Sequence, residues 1–264
     1  MIPKVRRPSS RRMITLEVLA NTAPSPAFRT ITLGGPGVAD LEVAGDDQAV
    51  RLFFPRVGQD GLRMPTLHNE GWMAEVLMLP KSRRPWVRNY TVRRARPGEI
   101  DIEFALHDGD APAAAWARRA RPGDPAGIFD LGVSYLPPPG VAWQLLAGDE
   151  SAVPAILAIL EHAPADLVAE VFLEVPSAAD VRAVSAPPGV RVHWLPRPRP
   201  GRPGVLALET VLAADLPGGR AYAWVAGEAA LATGVRRHLV RDRGWAKSGI
   251  AFLGYWRHGR AAPG

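Results

Sequence analysis

The 264-residue chain contains no cysteine, which excludes disulfide frameworks, thiolate-held zinc, thiolate-held iron–sulfur clusters and cysteine nucleophiles. Lysine is nearly absent too. Lys4, Lys81 and Lys247 are the only three, so almost all the positive charge is arginine. Arginine offers a fixed planar fork that suits phosphate and carboxylate, although a GC-rich coding sequence produces the same bias. The net charge is +6, yet the basic residues are spread out and form no dense run interleaved with aromatics, so no nucleic acid partner is expected. No stretch of about 18 uninterrupted apolar residues occurs, which argues against a membrane span. His68, His107, His162, His193, His238 and His258 show no paired-ligand spacing, so no protein-bound metal is expected.

What is present is an ordinary globular composition, 47% hydrophobic. The 26 glycines and 27 prolines make up about a fifth of the chain, short of collagen-like or low-complexity sequence. The length fits one large domain or two smaller ones. Near the amino end, Ser10-Arg11-Arg12-Met13-Ile14 faintly resembles a twin-arginine export signal, but Thr15 and Glu17 interrupt its apolar part. Met13 to Val18 reads better as a first strand, residues 1–12 as a loose basic tail, and the protein as cytoplasmic.

The two halves differ in period. Up to residue 136 short apolar runs bounded by turn residues, Ile14–Leu19, Phe28–Leu33, Ala49–Pro55, Asn89–Arg93, Ile100–Leu106 and Gly127–Leu131, indicate an antiparallel β-barrel over 13–136. Pro137-Pro138-Pro139-Gly140 can be neither helix nor central strand, so 137–142 reads as a linker. Over 143–264, strands Gln144–Ala147, Glu170–Val175, Val190–Leu195 and Ala221–Ala226 alternate with helical stretches Val153–His162, Ala178–Val184, Leu206–Leu212 and Ala230–Arg241. That order indicates an α/β domain with a parallel sheet.

Two strand ends in this second half carry the clearest binding signal. Gln144–Ala147 runs into Gly148, Asp149, Glu150 and Ser151 before a helix, and Trp224-Val225 runs into Ala226, Gly227 and Glu228 before another. A strand that ends in glycine and small polar residues leaves free backbone N–H groups where dinucleotide phosphates bind, although such turns are commonly only connectors. Glu174 closes the next strand, where an acid would bind a ribose diol and repel a 2′-phosphate, but Arg182 lies close in sequence. The nucleotide stays open as NADPH or NADH. In the first half, strand alternation puts Arg88, Tyr90 and Val92 on one face and Asn89, Thr91 and Arg93 on the other.

The whole chain from about residue 13 resembles the siderophore-interacting proteins, FAD-dependent ferric-siderophore reductases of the ferredoxin-reductase superfamily. The matching blocks occur in order: Thr30–Gly37 with Arg51-Leu52-Phe53-Phe54-Pro55; Arg88–Arg93; His107 with Pro112-Ala113 and Trp116-Ala117; Pro122-Gly123-Asp124; Ala147–Ser151 with Pro154-Ala155; Trp224–Glu228; and Gly254-Tyr255-Trp256-Arg257 with Gly259. The resemblance implies an FAD-binding barrel followed by an NAD(P)H domain, with the reacting rings meeting in the cleft between them. It assigns Arg88, Asn89, Tyr90, Thr91, Arg93, His107, Ala113, Ala114 and Trp116 to FAD, with Thr91 tuning the flavin at the catalytic position. It assigns Gly148, Asp149, Glu150, Ser151, Ala226, Gly227 and Glu228 to the nicotinamide nucleotide, and Arg51, Trp256 and Arg257 to an anionic ferric siderophore.

The implied chemistry is hydride transfer to flavin, then single electrons to Fe(III), whose oxygen ligands hold ferrous iron far less tightly. Asp108, Ala111 and the Phe129-Asp130-Leu131-Gly132 turn depart from the family pattern. Two alternatives therefore stand beside the reductase: a non-catalytic iron-chelate binder, and a flavin reductase serving another acceptor in a biosynthetic pathway. A monomer is expected.

Overall fold

The computed structural model describes residues 5–106 and 111–260 and divides into two compact units, from Val5 to Val133 and from Ser134 onward. In the first, β1 (Met13–Ser25), β2 (Phe28–Gly34), β3 (Ala49–Phe54), β4 (Trp86–Arg96), β5 (Glu99–Ala105) and β6 (Pro125–Gly132) close a barrel in the order β1-β2-β5-β4-β3-β6. Every pairing is antiparallel. The period of two decides which residues enter: Ile14, Leu16 and Val18 of β1 point into the core while Thr15 and Glu17 face water. The same parity sends Val50, Leu52 and Phe54 of β3 inward and Phe53 outward.

The long connection between β3 and β4 covers that outward face. Its helix α1 (Trp72–Met78) lays Trp72 and Val76, one turn apart, against Phe53 and Phe129. A second helix, α2 (Pro112–Arg119), contributes Ala113, Trp116 and Ala117 to the barrel core, with the Trp116 ring 5.2 Å from Phe54 and 5.7 Å from Phe104. Asn21 Nδ2 donates to the carbonyls of Ala117 at 2.8 Å and Ala120 at 2.9 Å, satisfying oxygens that the helix end leaves open.

The second unit is a parallel sheet in the order β11-β10-β7-β8-β9. Along the chain its elements are β7 (Trp143–Gly148), α3 (Val153–Glu161), β8 (Ala169–Val175), β9 (Val190–Pro196), α4 (Val205–Ala213), β10 (Ala221–Glu228), α5 (Ala229–Arg241) and β11 (Ile250–Trp256). Every residue of β7 and β8 is buried, as befits strands covered on both faces. Residues of α4 and α5 share one core cluster with β7 and β10, and α3 buries Val153 to Leu160.

Two expectations are corrected here and one strand is added. Residues 5–12 are not a loose tail: Arg6 and Val133 exchange two backbone hydrogen bonds of 2.9 Å, Ser9 Oγ donates to Glu42 at 2.6 Å, and Arg11 pairs with Glu70 at 2.9 Å. The stretch Ala178–Val184 forms only a 3₁₀ turn over Ala178–Asp180, because Ser177 Oγ donates to Asp180 at 2.8 Å and fixes a local turn in place of a helical ladder. Ile250–Trp256, quoted above only for its carboxy-terminal motif, is an edge strand parallel to β10. Among the described residues no helix is long and apolar enough to cross a membrane.

Gly132 ends β6 at φ +88°, and a Cβ there would run into the Arg6 carbonyl, which is backbone and cannot step aside. Gly132→Ala should therefore open the Arg6–Val133 pairing and cost about 1–2 kcal/mol from the left-handed backbone alone. Thermal unfolding would show it as a lowered melting temperature; an unchanged one would refute both the backbone strain at Gly132 and the contribution of the Arg6–Val133 pairing.

Candidate functional site

On the barrel, β4 presents the string Arg88 to Arg93. Arg88 pairs across the strands with Leu52 and Tyr90 with Val50, both of which point inward, while Asn89 pairs with Arg51 and Thr91 with Ala49. The Tyr90 ring packs against Phe104 with centroids 4.2 Å apart, and burial pushes its phenol upward, partly opposed by Arg88. Arg88 Nη1 donates to the Val87 carbonyl at 2.8 Å, and its guanidinium lies 5.1 Å from the centre of the Trp86 ring. Burial lowers its pKa, with Tyr90 opposing. A partly desolvated guanidinium gains from an anion that replaces lost water. Thr91 is buried, and Arg93 sits where the β4–β5 register shifts between Val92 and Arg94.

The first turn of α2 suits a pyrophosphate. Its N-cap is Ala111, Pro112 occupies the first turn, and no side chain caps the helix, so the leading amides have no intrahelical acceptor. Ala113 and Ala114 expose little side chain, and Trp116 is buried in the barrel core; what this segment offers a ligand is backbone N–H. His107 lies outside the described residues, as does Asp108.

Arg51 stands on the outer face of β3. Its Nη1 donates to Asn89 Oδ1 at 2.5 Å, its guanidinium lies 5.9 Å from the Trp72 ring centre, and its buried Nε has no hydrogen-bond partner. Burial lowers its pKa, and Glu70 opposes the shift. It is thus a partly desolvated cation with one buried donor unsatisfied.

In the α/β unit the residues expected at the nucleotide edge meet at the carboxyl ends of β7 and β10, where Gly148 pairs with Ala226. A Cβ on Gly148 would stand 2.9 Å from the Ala226 carbonyl, so glycine sets this close approach. Asp149, fully buried, accepts four hydrogen bonds: Oδ1 from Ser151 N at 2.9 Å and Ser151 Oγ at 2.6 Å, Oδ2 from Glu228 N at 2.6 Å and Trp256 Nε1 at 3.0 Å. Gly227, at φ +129°, makes room for it, since a Cβ would lie 2.7 Å from the Asp149 carboxylate. Glu228 caps α5 through Ala230 N and accepts from His258 N at 3.1 Å.

Several acids expected to face ligand thus face protein. Trp256, expected at the substrate, spends its indole N–H on Asp149. Arg257 is exposed, with a backbone bridge to Arg260. Glu150 accepts both guanidinium forks of Arg197 at 3.0 Å, and Glu174 accepts Arg197 at 2.6 Å, Gly204 N at 2.8 Å and Ala207 N at 2.9 Å. Glu174 is fully buried and has no oxygen left for a ribose. Arg197 is the residue sequence reasoning passed over; its signal was the run Arg197-Pro198-Arg199-Pro200-Gly201-Arg202 directly after a strand. Among the described residues no cluster of three His, Asp or Glu could hold a metal ion.

Residues 17–135 match the family described as Siderophore-interacting FAD-binding domain, and residues 141–259 that described as Siderophore-interacting protein. The chain is 33% identical over 238 residues to the ferric vibriobactin reductase ViuB of Vibrio cholerae, covering 87% of this chain and 84% of that one. A crystal structure of a siderophore utilization protein from T. fusca matches at TM-score 0.83 and 29% identity, covering 98% of this chain and 97% of that one. A ferredoxin NADP+ reductase from Neisseria gonorrhoeae with bound FAD and NADP shares the fold alone, at TM-score 0.61 and 15% identity over 92% of this chain and 99% of that one.

The Asp149 carboxyl is pushed up to about 7, by burial first and by Glu150 next, against the donors from Ser151 and Glu228. An acid whose pKa rises on folding holds its proton better in the folded chain; its stabilisation is complete below the ordinary aspartate value and is lost as pH climbs from about 4 to about 7. Denaturation midpoints across that window should fall with rising pH, and Asp149→Asn should flatten the slope. A slope that survives the substitution would assign it to another group.

Proposed function

The chain belongs to the siderophore-interacting protein family, and from that premise we propose that it carries electrons from NAD(P)H through FAD to a ferric siderophore, releasing ferrous iron. The observation that carries this reading is the β4 face of the barrel: Arg88 and Tyr90, both partly withdrawn from water, two residues apart on one side of one strand. The first turn of α2, which no side chain caps, supports it. Flavin, when bound, accepts a pair of electrons as hydride and yields them singly, which is the conversion a two-electron donor and a one-electron iron acceptor require.

The residues of the chain do the holding and orienting. Arg88 and the leading amides of α2 would neutralise the pyrophosphate. Tyr90, braced by Phe104, would offer an aromatic face to the ring system, and Thr91 a sheltered hydroxyl as a hydrogen-bonding group, not a nucleophile. The reading needs no protein acid or base. In the α/β unit, the Gly148 and Gly227 turns would receive the nicotinamide nucleotide through backbone, with Asp149, Glu150 and Glu228 holding those turns from behind. Arg51 would draw an anionic chelate by its positive charge, its guanidinium held in place by Asn89. Iron itself is substrate here.

Purified protein should be yellow, bleach on addition of NADPH or NADH, and recover colour when a ferric siderophore is added, with ferrous iron captured by a ferrous-specific chelator. A colourless preparation that refuses added FAD would overturn the proposal. Arg88→Ala should weaken FAD about ten- to a hundredfold, the loss of one charge-assisted contact of roughly 1.5–3 kcal/mol; full flavin retention through gel filtration would remove Arg88 from the site. Arg51→Glu should raise KM for an anionic ferric chelate while sparing a neutral one and leaving FAD content intact. Equal losses for both chelates would refute the electrostatic role.

A further inference from the structure

The connection from β9 to α4, residues 197–204, reads Arg-Pro-Arg-Pro-Gly-Arg-Pro-Gly and contains three arginines and no acid. It is pinned at both ends across the carboxyl edge of the sheet. At one end Arg197 N donates to the Val175 carbonyl at the end of β8, and its guanidinium joins Glu150 after β7 to Glu174 at the end of β8. At the other end Gly204 N donates to Glu174, and Gly204, at φ +82°, lies so close to the start of α5 that a Cβ would stand 3.0 Å from Leu231 Cβ and 3.3 Å from Glu228 Cβ. Three prolines stiffen the span between these anchors.

The electrostatics of this edge favour one kind of ligand. Its carboxylates, Asp149, Glu150, Glu174, Asp180 and Glu228, are all buried and bonded to protein. Glu174, at the position from which an acid reads the ribose diol of NADH in open α/β sheets, is neutralised by Arg197 and closed to solvent. Arg199 and Arg202, in contrast, are exposed, and neither guanidinium has a hydrogen bond or ion pair among the described residues, although the Arg202 carbonyl accepts from Val205 N at 3.4 Å. Two exposed guanidiniums on a proline-stiffened loop, beside an edge whose five named carboxylates are buried, have the chemistry to receive a dianionic phosphate.

We propose that Arg199 and Arg202 form a subsite for the 2′-phosphate of NADPH and make this chain select NADPH over NADH. The inference rests on the reading above that the α/β unit binds a nicotinamide dinucleotide, and adds the group that discriminates between the two. Arg197 is excluded from the subsite because both of its forks are already occupied by carboxylates.

The test is calorimetric titration of the flavin-loaded protein with 2′,5′-ADP and with 5′-AMP, which differ only in that phosphate. The wild type should bind 2′,5′-ADP at least about tenfold more tightly, and the preference should weaken with added salt. The Arg199→Ala, Arg202→Ala double variant should lose the preference while binding 5′-AMP as before; both side chains are exposed, so folding is not at stake, and circular dichroism checks it. Equal affinity for the two nucleotides in the wild type, or a preference that survives the double substitution, overturns the subsite. If NADH and NADPH then reduce the flavin equally well, the reductase reading stands and the subsite alone fails. If neither nucleotide binds and neither dinucleotide reduces the flavin, the nucleotide reading falls, and the subsite with it.

Discussion

One guanidinium shared between two buried carboxylates holds the carboxyl edge of the parallel sheet in place. Arg197 reaches Glu150 and Glu174, whose side chains are 2% and 0% exposed. Burial works to lower the arginine pKa, and the hydrogen bonds to Glu150 and then Glu174 outweigh it and raise the value. Such a group cannot lose a partner cheaply: an uncompensated buried charge costs roughly 3–5 kcal/mol. Three chain segments converge on it, namely the turn after β7, the end of β8 and the loop after β9. Glu174 carries the effect further, since its oxygens also take the amides of Gly204 and Ala207 at the start of α4, where a carboxylate complements the helix dipole.

The arginine-rich composition looks different once the side chains are placed. A share of the guanidiniums serve as flat packing groups over aromatic rings: Arg56 lies 3.8 Å from the centre of Trp86, Arg11 4.8 Å from Phe129, and Arg236 4.7 Å from Phe252. Guanidinium is weakly hydrated and stacks on aromatic faces, which an ammonium does less well. Net charge read from sequence therefore overstates what is offered to anions. Arg199 and Arg202 are different in kind: both are exposed on the loop after β9 and lie over no aromatic ring among the described residues.

How much could be read from sequence depended on whether neighbours along the chain or neighbours in space decided the outcome. The six barrel strands were legible because Ile14, Leu16 and Val18, or Val50, Leu52 and Phe54, alternate with polar or outward residues between turn signals. Helix α1 was not, since only Trp72 and Val76 mark its buried face while Met73, Leu77 and Met78 are exposed. β11 hid inside a motif, because Gly254 and the exposed Tyr255 break its apolar run and only pairing with β10 makes it a strand. At the carboxyl edge of the parallel sheet the positions of Asp149, Glu174 and Glu228 were visible, but their direction was not. An acid after a strand can face a ligand or brace the fold, and the deciding donors, Trp256, Arg197 and His258, lie 107, 23 and 30 residues away.

The order of strands has a consequence for the chain as it leaves the ribosome. β1 needs β6 to close the barrel, Met13 opposite Phe129, so the first strand made waits for the last. Until Phe129 emerges, Ile14, Leu16 and Val18 lie on an open sheet edge, the state in which nascent β-proteins associate wrongly. The second unit inverts this dependence. Its central strand, β7, is its first product, with β8 and β9 added outward on one side and β10 and β11 on the other. Synthesis stalled midway through the barrel leaves a sheet that cannot close, whereas a stall in the second unit leaves a shorter sheet around a strand that already has its neighbour.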